Sequence, residues 1–279
     1  MSVIAPDDPD VLSRQSERAD RSSGYAVSGR SAAQIARTYI KTGVDWTTIA
    51  WTGFGLCVIA VSTIAAFQDV TPLWLSFLVN MYFMFFIFAT MHEASHGNIG
   101  HGRSAWLNPV LGWLCGIVNM VPYRGWGDLH VWHHAHVNNP ELDPDEWVKG
   151  HNPFNVVFRA ATIPQHYLYF YAASRAYDKV RGGRFAYFWI VMTWVIALTI
   201  CNVIWYTTGD YRLLVLWPLA GYMNIFIMGM MFVWFPHFPR AGLGRTDNST
   251  TYVFKFFFNT FSSTLNFCSS CLNIFNSIL

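Results

Sequence analysis

The sequence predicts an all-α integral-membrane protein: four transmembrane helices in two hairpins, with a cytosolic helical cap that carries clustered histidines. Three observations lead there. The chain is 53% hydrophobic and only 12% charged, against about a quarter charged in soluble domains. Four apolar runs are long enough to cross a bilayer, and seven of the ten histidines fall between His92 and His136. The aromatic content of 18% supplies interfacial anchors. A net charge of +2 with no basic stripe or nucleic-acid motif argues against a nucleic-acid partner.

Residues 1–30 are rich in Ser, Arg and Asp and lack an apolar core, which predicts a disordered cytosolic tail rather than a signal peptide. Ser31 and Gln34 have capping-box spacing, and Ile35, Ala36 and Tyr39 follow at helical spacing, so a short helix is expected to lead into a membrane domain spanning residues 31–252. A helix needs about 20 apolar residues to cross a hydrocarbon core of roughly 30 Å. Residues 46–67, 73–91, 185–207 and 213–235 meet that length. The turns from Gln68 to Pro72 and from Thr208 to Arg212 are so short that each pair is predicted to form an antiparallel hairpin. A fifth apolar run, from Ala105 to Val121, contains Pro109 and several glycines and is short for a span, so an in-plane or re-entrant segment is expected.

Charge distribution supports this arrangement, because Lys and Arg concentrate in cytoplasmic loops. With four spans every Lys and Arg except Arg212 lies on one side. If the fifth run crossed, the seven basic residues from Arg124 to Arg184 would move to the opposite side. The N-terminus, the long loop after the second span and the C-terminus are therefore expected in the cytosol. Asn248-Ser249-Thr250 is a glycosylation acceptor pattern that this topology leaves unmodified. Cys57, Cys115 and Cys201 lie in apolar runs and are expected to be buried hydrophobes. The Cys268 and Cys271 pair has metal or redox spacing but stands alone.

The histidines carry the chemistry. His92 and His96 stand at i, i+4 where the second apolar run ends, so both rings leave one helix face. His130, His133 and His134 stand at i, i+3 and i+4, which puts three more on one face of a second helical stretch. Neutral imidazole suits iron, copper, zinc and nickel, so spacing does not name the metal. Five imidazoles exceed what one zinc ion takes and point to a two-metal site. Glu93, Asp128, Asp143 and Asp145 are candidates for carboxylates that fix the imidazole tautomers, or for loop charges and caps.

The pattern His92-x-x-x-His96 followed by His130-x-x-His133-His134 resembles the first two histidine boxes of the membrane fatty acid desaturase and hydroxylase superfamily. The run from His133 through Asn138 into Asp143-Pro144-Asp145 also resembles the carotenoid hydroxylases and ketolases of that superfamily. The resemblance covers about residues 46–245. It implies four spans with the boxes on the cytosolic face, two non-haem iron ions with O2 as co-substrate, and hydrogen removal from an unactivated C–H bond of a membrane lipid substrate. It also implies an electron donor such as ferredoxin or cytochrome b5. His237, after the fourth run, lies where some members place an extra ligand. His101, His136, His151 and His166 match no box and are expected not to be ligands.

The sequence departs from that family in one place. A third box is expected some tens of residues after the fourth span, yet no histidine follows His237. From Val253 to Leu279 there are seven Phe, five Ser and four Asn, with no Gly, Pro or acidic residue. That abrupt change predicts an atypical tail over residues 253–279, read as a reading frame lost after Tyr252. Two other readings stay open. His92-Glu93-x-x-His96 also matches the zinc-protease pattern, with Glu93 as general base. The missing box also fits an inactive homologue that keeps the fold.

Overall fold

The computed structural model describes residues 43–150, 152–173 and 183–235; the expectations for both tails, His151, His237, Asn248 and the Cys268 and Cys271 pair lie outside these. Among the described residues every regular element is helical, and a single antiparallel bridge joins Val44 to Gly100. Four helices are long and apolar enough to cross a membrane. They are α1 (Trp46–Phe67), α2 (Leu73–Ser95), α7 (Gly183–Thr208) and α8 (Arg212–Trp234). Between α2 and α7 lie α3 (Leu107–Val118), α4 (Tyr123–His136), α5 (Pro153–Ala161) and α6 (Ile163–Ala173).

Asp45 starts α1 by accepting a hydrogen bond from the Thr48 amide at 3.2 Å, which satisfies one of the orphan donors of a first turn. α2 follows after the left-handed Asp69 and is tied to α1 by polar side chains inside the apolar layer. Thr52 bonds Thr90 at 2.6 Å, Ser62 Oγ donates to the Ser76 carbonyl, and Asn80 donates to Thr63. Residues advance along α1 as their partners retreat along α2, so the two helices run antiparallel. The same buried Asn80 amide also donates to the Leu216 carbonyl of α8 at 3.1 Å, so one polar side chain joins three spans where water is absent.

α8 is wound more widely over Val215–Leu219 and Gly229–Trp234. Pro218, inside the first of these stretches, lacks the N–H that a regular ladder needs. At the opposite end from the histidines, Arg212 donates to Asp210, to Asp69 at 2.8 Å and to the Ala66 carbonyl. This brings the two short turns together and sets the start of α8 beside the start of α2.

α3 has 12 residues and rises about 18 Å, less than the roughly 30 Å of a hydrocarbon core. The chain then bends by 104° into α4, through Met120 at a positive φ of 60°. Gly112 makes this corner: a Cβ there would lie 2.3 Å from the ring of Tyr123. The tyrosine thus lies against α3, and its hydroxyl donates to the Ala94 carbonyl of α2 at 2.8 Å. That bond fixes the start of α4 against the end of α2, where both histidine sets sit.

Candidate metal centre

α2 continues past the last apolar residue to Ser95, with His96 as its cap, so His92 and His96 keep helical spacing. Gly97, at φ +75°, then turns the chain. The turn returns the Asn98 amide to the Glu93 carbonyl at 3.0 Å and the Asn98 side chain to Glu93 Oε2 at 2.7 Å. Asn108 holds the following loop from both sides, accepting from the Ile99 amide and donating to the Gly100 carbonyl.

Across from this turn α4 presents His130 and His134 at i, i+4. One ligand nitrogen from each of His92, His96, His130 and His134 lies within 4.8 Å of the others. His130 is central: its Nε2 is 3.1 Å from that of His96 and 3.0 Å from that of His134. Burial and neighbouring His92 hold the His96 imidazole down to about 4. Burial, then His134 and His92, hold His130 well below its usual value. Both rings are neutral at pH 7, and His130 Nε2, with either one proton or one lone pair, can complete a hydrogen bond to only one of its two neighbours. A metal ion that takes their lone pairs fits this donor set.

Glu93 is buried and accepts the Nδ1 proton of His92 at 2.8 Å, which leaves Nε2 of that ring as the nitrogen with a lone pair. The arrangement is the carboxylate-to-histidine contact that orients metal-binding imidazoles. With Oε1 on His92 and Oε2 on Asn98, both Glu93 oxygens are engaged within the chain, an arrangement unlike the general base of the zinc-protease pattern. Trp126 stacks on His130 at 4.5 Å and 12°, and meets Phe88 edge-on at 5.0 Å, forming an apolar wall of the cluster.

His133 faces another set of partners. Its ligand nitrogen groups with Asp143 and Asp145, and its ring centre is 6.3 Å from that of His130. Asp143 Oδ1 accepts from His133 Nδ1 at 2.7 Å, while the amides of Asn138 and Asp145 donate to the same carboxylate. Burial opposes a charge on His133, but Asp145 and Asp143 together outweigh it and raise the imidazole to about 9. Asp143 is held below its usual value, because His133 and the two amides outweigh its burial. Asp145 is raised, by burial and by adjacent Asp143. The Tyr167 hydroxyl of α6 donates to Asp145.

The structure therefore brings together four of the sequence-predicted ligands, sets His133 beside them on its own carboxylate pair, and puts Glu93 on His92. Asp128 lies half-buried on α4, in neither group. His136 stacks on Trp132 at 4.2 Å, and His166 stacks on Trp147 at 4.6 Å; neither joins a group. Asn98, Trp126 and Tyr167 are additional site residues that sequence reasoning missed. Only Asn98 left a signal, as a polar residue just past a glycine that ends a histidine-bearing helix.

A family model for fatty acid desaturases matches residues 69–269, more than two thirds of the chain. The match starts in the turn after α1 and runs into the stretch whose composition sets it apart. No curated protein and no solved structure matches the chain. Four membrane-length helices, two helix ends that converge their histidines, and this match give one conclusion: the chain belongs to the fatty acid desaturase family.

Proposed function

We propose that this protein carries out oxygen-dependent desaturation or hydroxylation of a membrane lipid acyl chain at a histidine-held di-iron centre. The observation that carries the reading is the convergence of His92, His96, His130 and His134 at the end of a membrane-length helix. These four imidazoles would hold iron, with His133 and His237 completing the set. Glu93 and Asp143 would fix the rings of His92 and His133 from behind, Asp145 would brace the latter, and Asp128 would act from α4. Bound iron would supply the reduction of O2 needed to take hydrogen from an unactivated C–H bond. The chain itself would orient the acyl carbon beside the cluster and keep water away with Phe88 and Trp126. Electrons would come from a donor such as ferredoxin or cytochrome b5.

The domain is read as residues 31–252, with the helices in two hairpins and the cap, both termini and the histidine face in the cytosol. The one-sided distribution of Lys and Arg supports this orientation. Carotenoid hydroxylation or ketolation would use the same centre. An inactive homologue is the second reading, favoured by the lack of a third histidine set within the matched residues 69–269. Expression in a host that makes both fatty acids and carotenoids, with His130→Ala as control, separates these. New double bonds or hydroxyls in acyl chains, present only with the unaltered protein, are expected. A change confined to carotenoids would shift the substrate, and unchanged lipids of both kinds would overturn catalysis.

A further inference from the structure

The segment joining the two histidine-bearing helices to α7 contains a helix that does not fit a wholly cytosolic cap. α5 has three distinct edges. Val156 and Ala160 are buried, whereas Phe154 and Phe158 are 84% and 63% exposed, with Val157 also exposed beside them. Phe154, Val157, Phe158 and Ala161 stand at i, i+3, i+4 and i+7, so they form one apolar stripe. Asn155 and Arg159 occupy the remaining edge. Arg159 donates to the Lys149 carbonyl at 2.7 Å and lies over the Trp147 ring.

The buried edge fixes the depth of this helix. Val156, Ala160 and Ile163 pack with Ile225, Phe226, Met230, Val233 and Trp234 of α8. A Cβ on Gly229 would lie 3.6 Å from the Ala160 Cβ and would strike Ile163, so the two helices approach closely. The cluster that Val156 and Ala160 form with Val148 and with Ile163 of α6 meets α8 between Ile225 and Trp234, in the half of this membrane-length helix that ends at Trp234. Anything packed there lies beside the outer part of a leaflet, about the depth at which in-plane amphipathic helices settle, roughly 5–10 Å into the boundary.

We infer that α5 is an in-plane membrane helix: Phe154, Val157 and Phe158 insert among the lipids of the leaflet on the histidine side, Asn155 faces the headgroups, and Arg159 ties the helix to the Trp147–Lys149 loop. The occupant of the exposed stripe is lipid because the helix that carries it is packed against the terminal half of a membrane-length helix. The short turn Pro144–Val148 lies between Asp143 and this helix, so the embedded stripe also holds the loop behind His133 at the membrane surface. The inference rests on the membrane reading of the four long helices.

The test uses the full chain in phosphatidylcholine nanodiscs that contain a phospholipid with a diazirine on the upper acyl chain, followed by peptide mass spectrometry. Lipid adducts are expected on Phe154, Val157 or Phe158, alongside adducts on the exposed α7 residues Val195 and Leu198. Adducts on α7 with none in residues 153–161 would overturn the placement of α5 and leave the spans intact. Absence from both would overturn the membrane reading and the placement with it. Hydroxyl-radical footprinting of the same nanodiscs gives a second readout: protection of Phe154 and Phe158 supports insertion, and oxidation comparable to the exposed turn residue Tyr211 contradicts it.

Discussion

Asp143 Oδ1 lies 2.7 Å from Nδ1 of His133, with both side chains buried. A carboxylate at this nitrogen selects the tautomer whose other nitrogen binds metal, and loss of such a partner costs metal affinity about 10–100-fold. Asp143→Asn replaces an acceptor with an amide that can turn its N–H towards the ring. Iron titration of the purified variant should show weakening in that range, with the helical signal unchanged. Affinity equal to the unaltered protein would refute the positioning role.

The same pair gives a pH dependence to the metal-free fold. His133 is raised to about 9 in the folded chain, so its charged form favours folding. That contribution is complete below the unfolded imidazole value and disappears as pH rises through about 9. The gap is worth ~3 kcal/mol at ~1.4 kcal/mol per pH unit. Asp143 is lowered, so its contribution is present above its usual carboxylate value and fades as acid reaches its folded value. Thermal unfolding of metal-stripped protein should lose stability between pH 7 and 10, and His133→Ala should flatten that slope.

His130 stands between two other ring nitrogens, so its loss should be felt more than that of any other single histidine. His130→Ala is expected to lower bound iron per chain by at least half. His136→Ala should leave iron unchanged, because its ring is stacked on Trp132 and its nitrogens join neither ligand group. Equal losses in both variants would mean that the cluster is not the binding site.

Glu93→Gln distinguishes orientation of a ring from general-base chemistry. An amide at this position keeps only one acceptor oxygen, so its NH2 must face either His92 Nδ1 or the Asn98 side-chain amide, and iron affinity should fall about tenfold or more. No peptide hydrolysis is expected from either protein. Cleavage that vanishes in the variant, with one zinc bound per chain, would instead support the protease reading.

Gly112→Ala should strike the fold at its corner. The added methyl would meet Tyr123 at 2.3 Å, and overpacking of this kind costs about 1–3 kcal/mol. A lower melting temperature and a lower yield of folded protein are expected, with metal binding weakened because Tyr123 ties α4 to Ala94 of α2. Wild-type melting would show that the corner relaxes freely.

The four long helices were legible because apolar length alone defines a span: the predicted 46–67 is the observed Trp46–Phe67. Hydropathy placed the end of the second at Met91, yet its helix runs to Ser95. Backbone hydrogen bonding does not stop where polarity begins. The pairings of His92 with His96 and of His130 with His134 followed from helical spacing. That His133 turns to Asp143 was not legible, since i+3 and i+4 neighbours diverge only when something approaches one side. Here that is a loop ten residues away in sequence, braced by Tyr167 from another helix. Contacts of this kind depend on tertiary approach and leave no periodic trace.

Arg212 is the one basic residue that breaks the charge asymmetry, and it is taken up by Asp210 and Asp69 at its own end of the helices. Counted together, those three side chains make that end net negative. Pulling α8 away from α1 and the turn before α2 would strand the Arg212 guanidinium from Asp69 and the Ala66 carbonyl, so this knot acts as a clasp that resists splaying of the helices at that end.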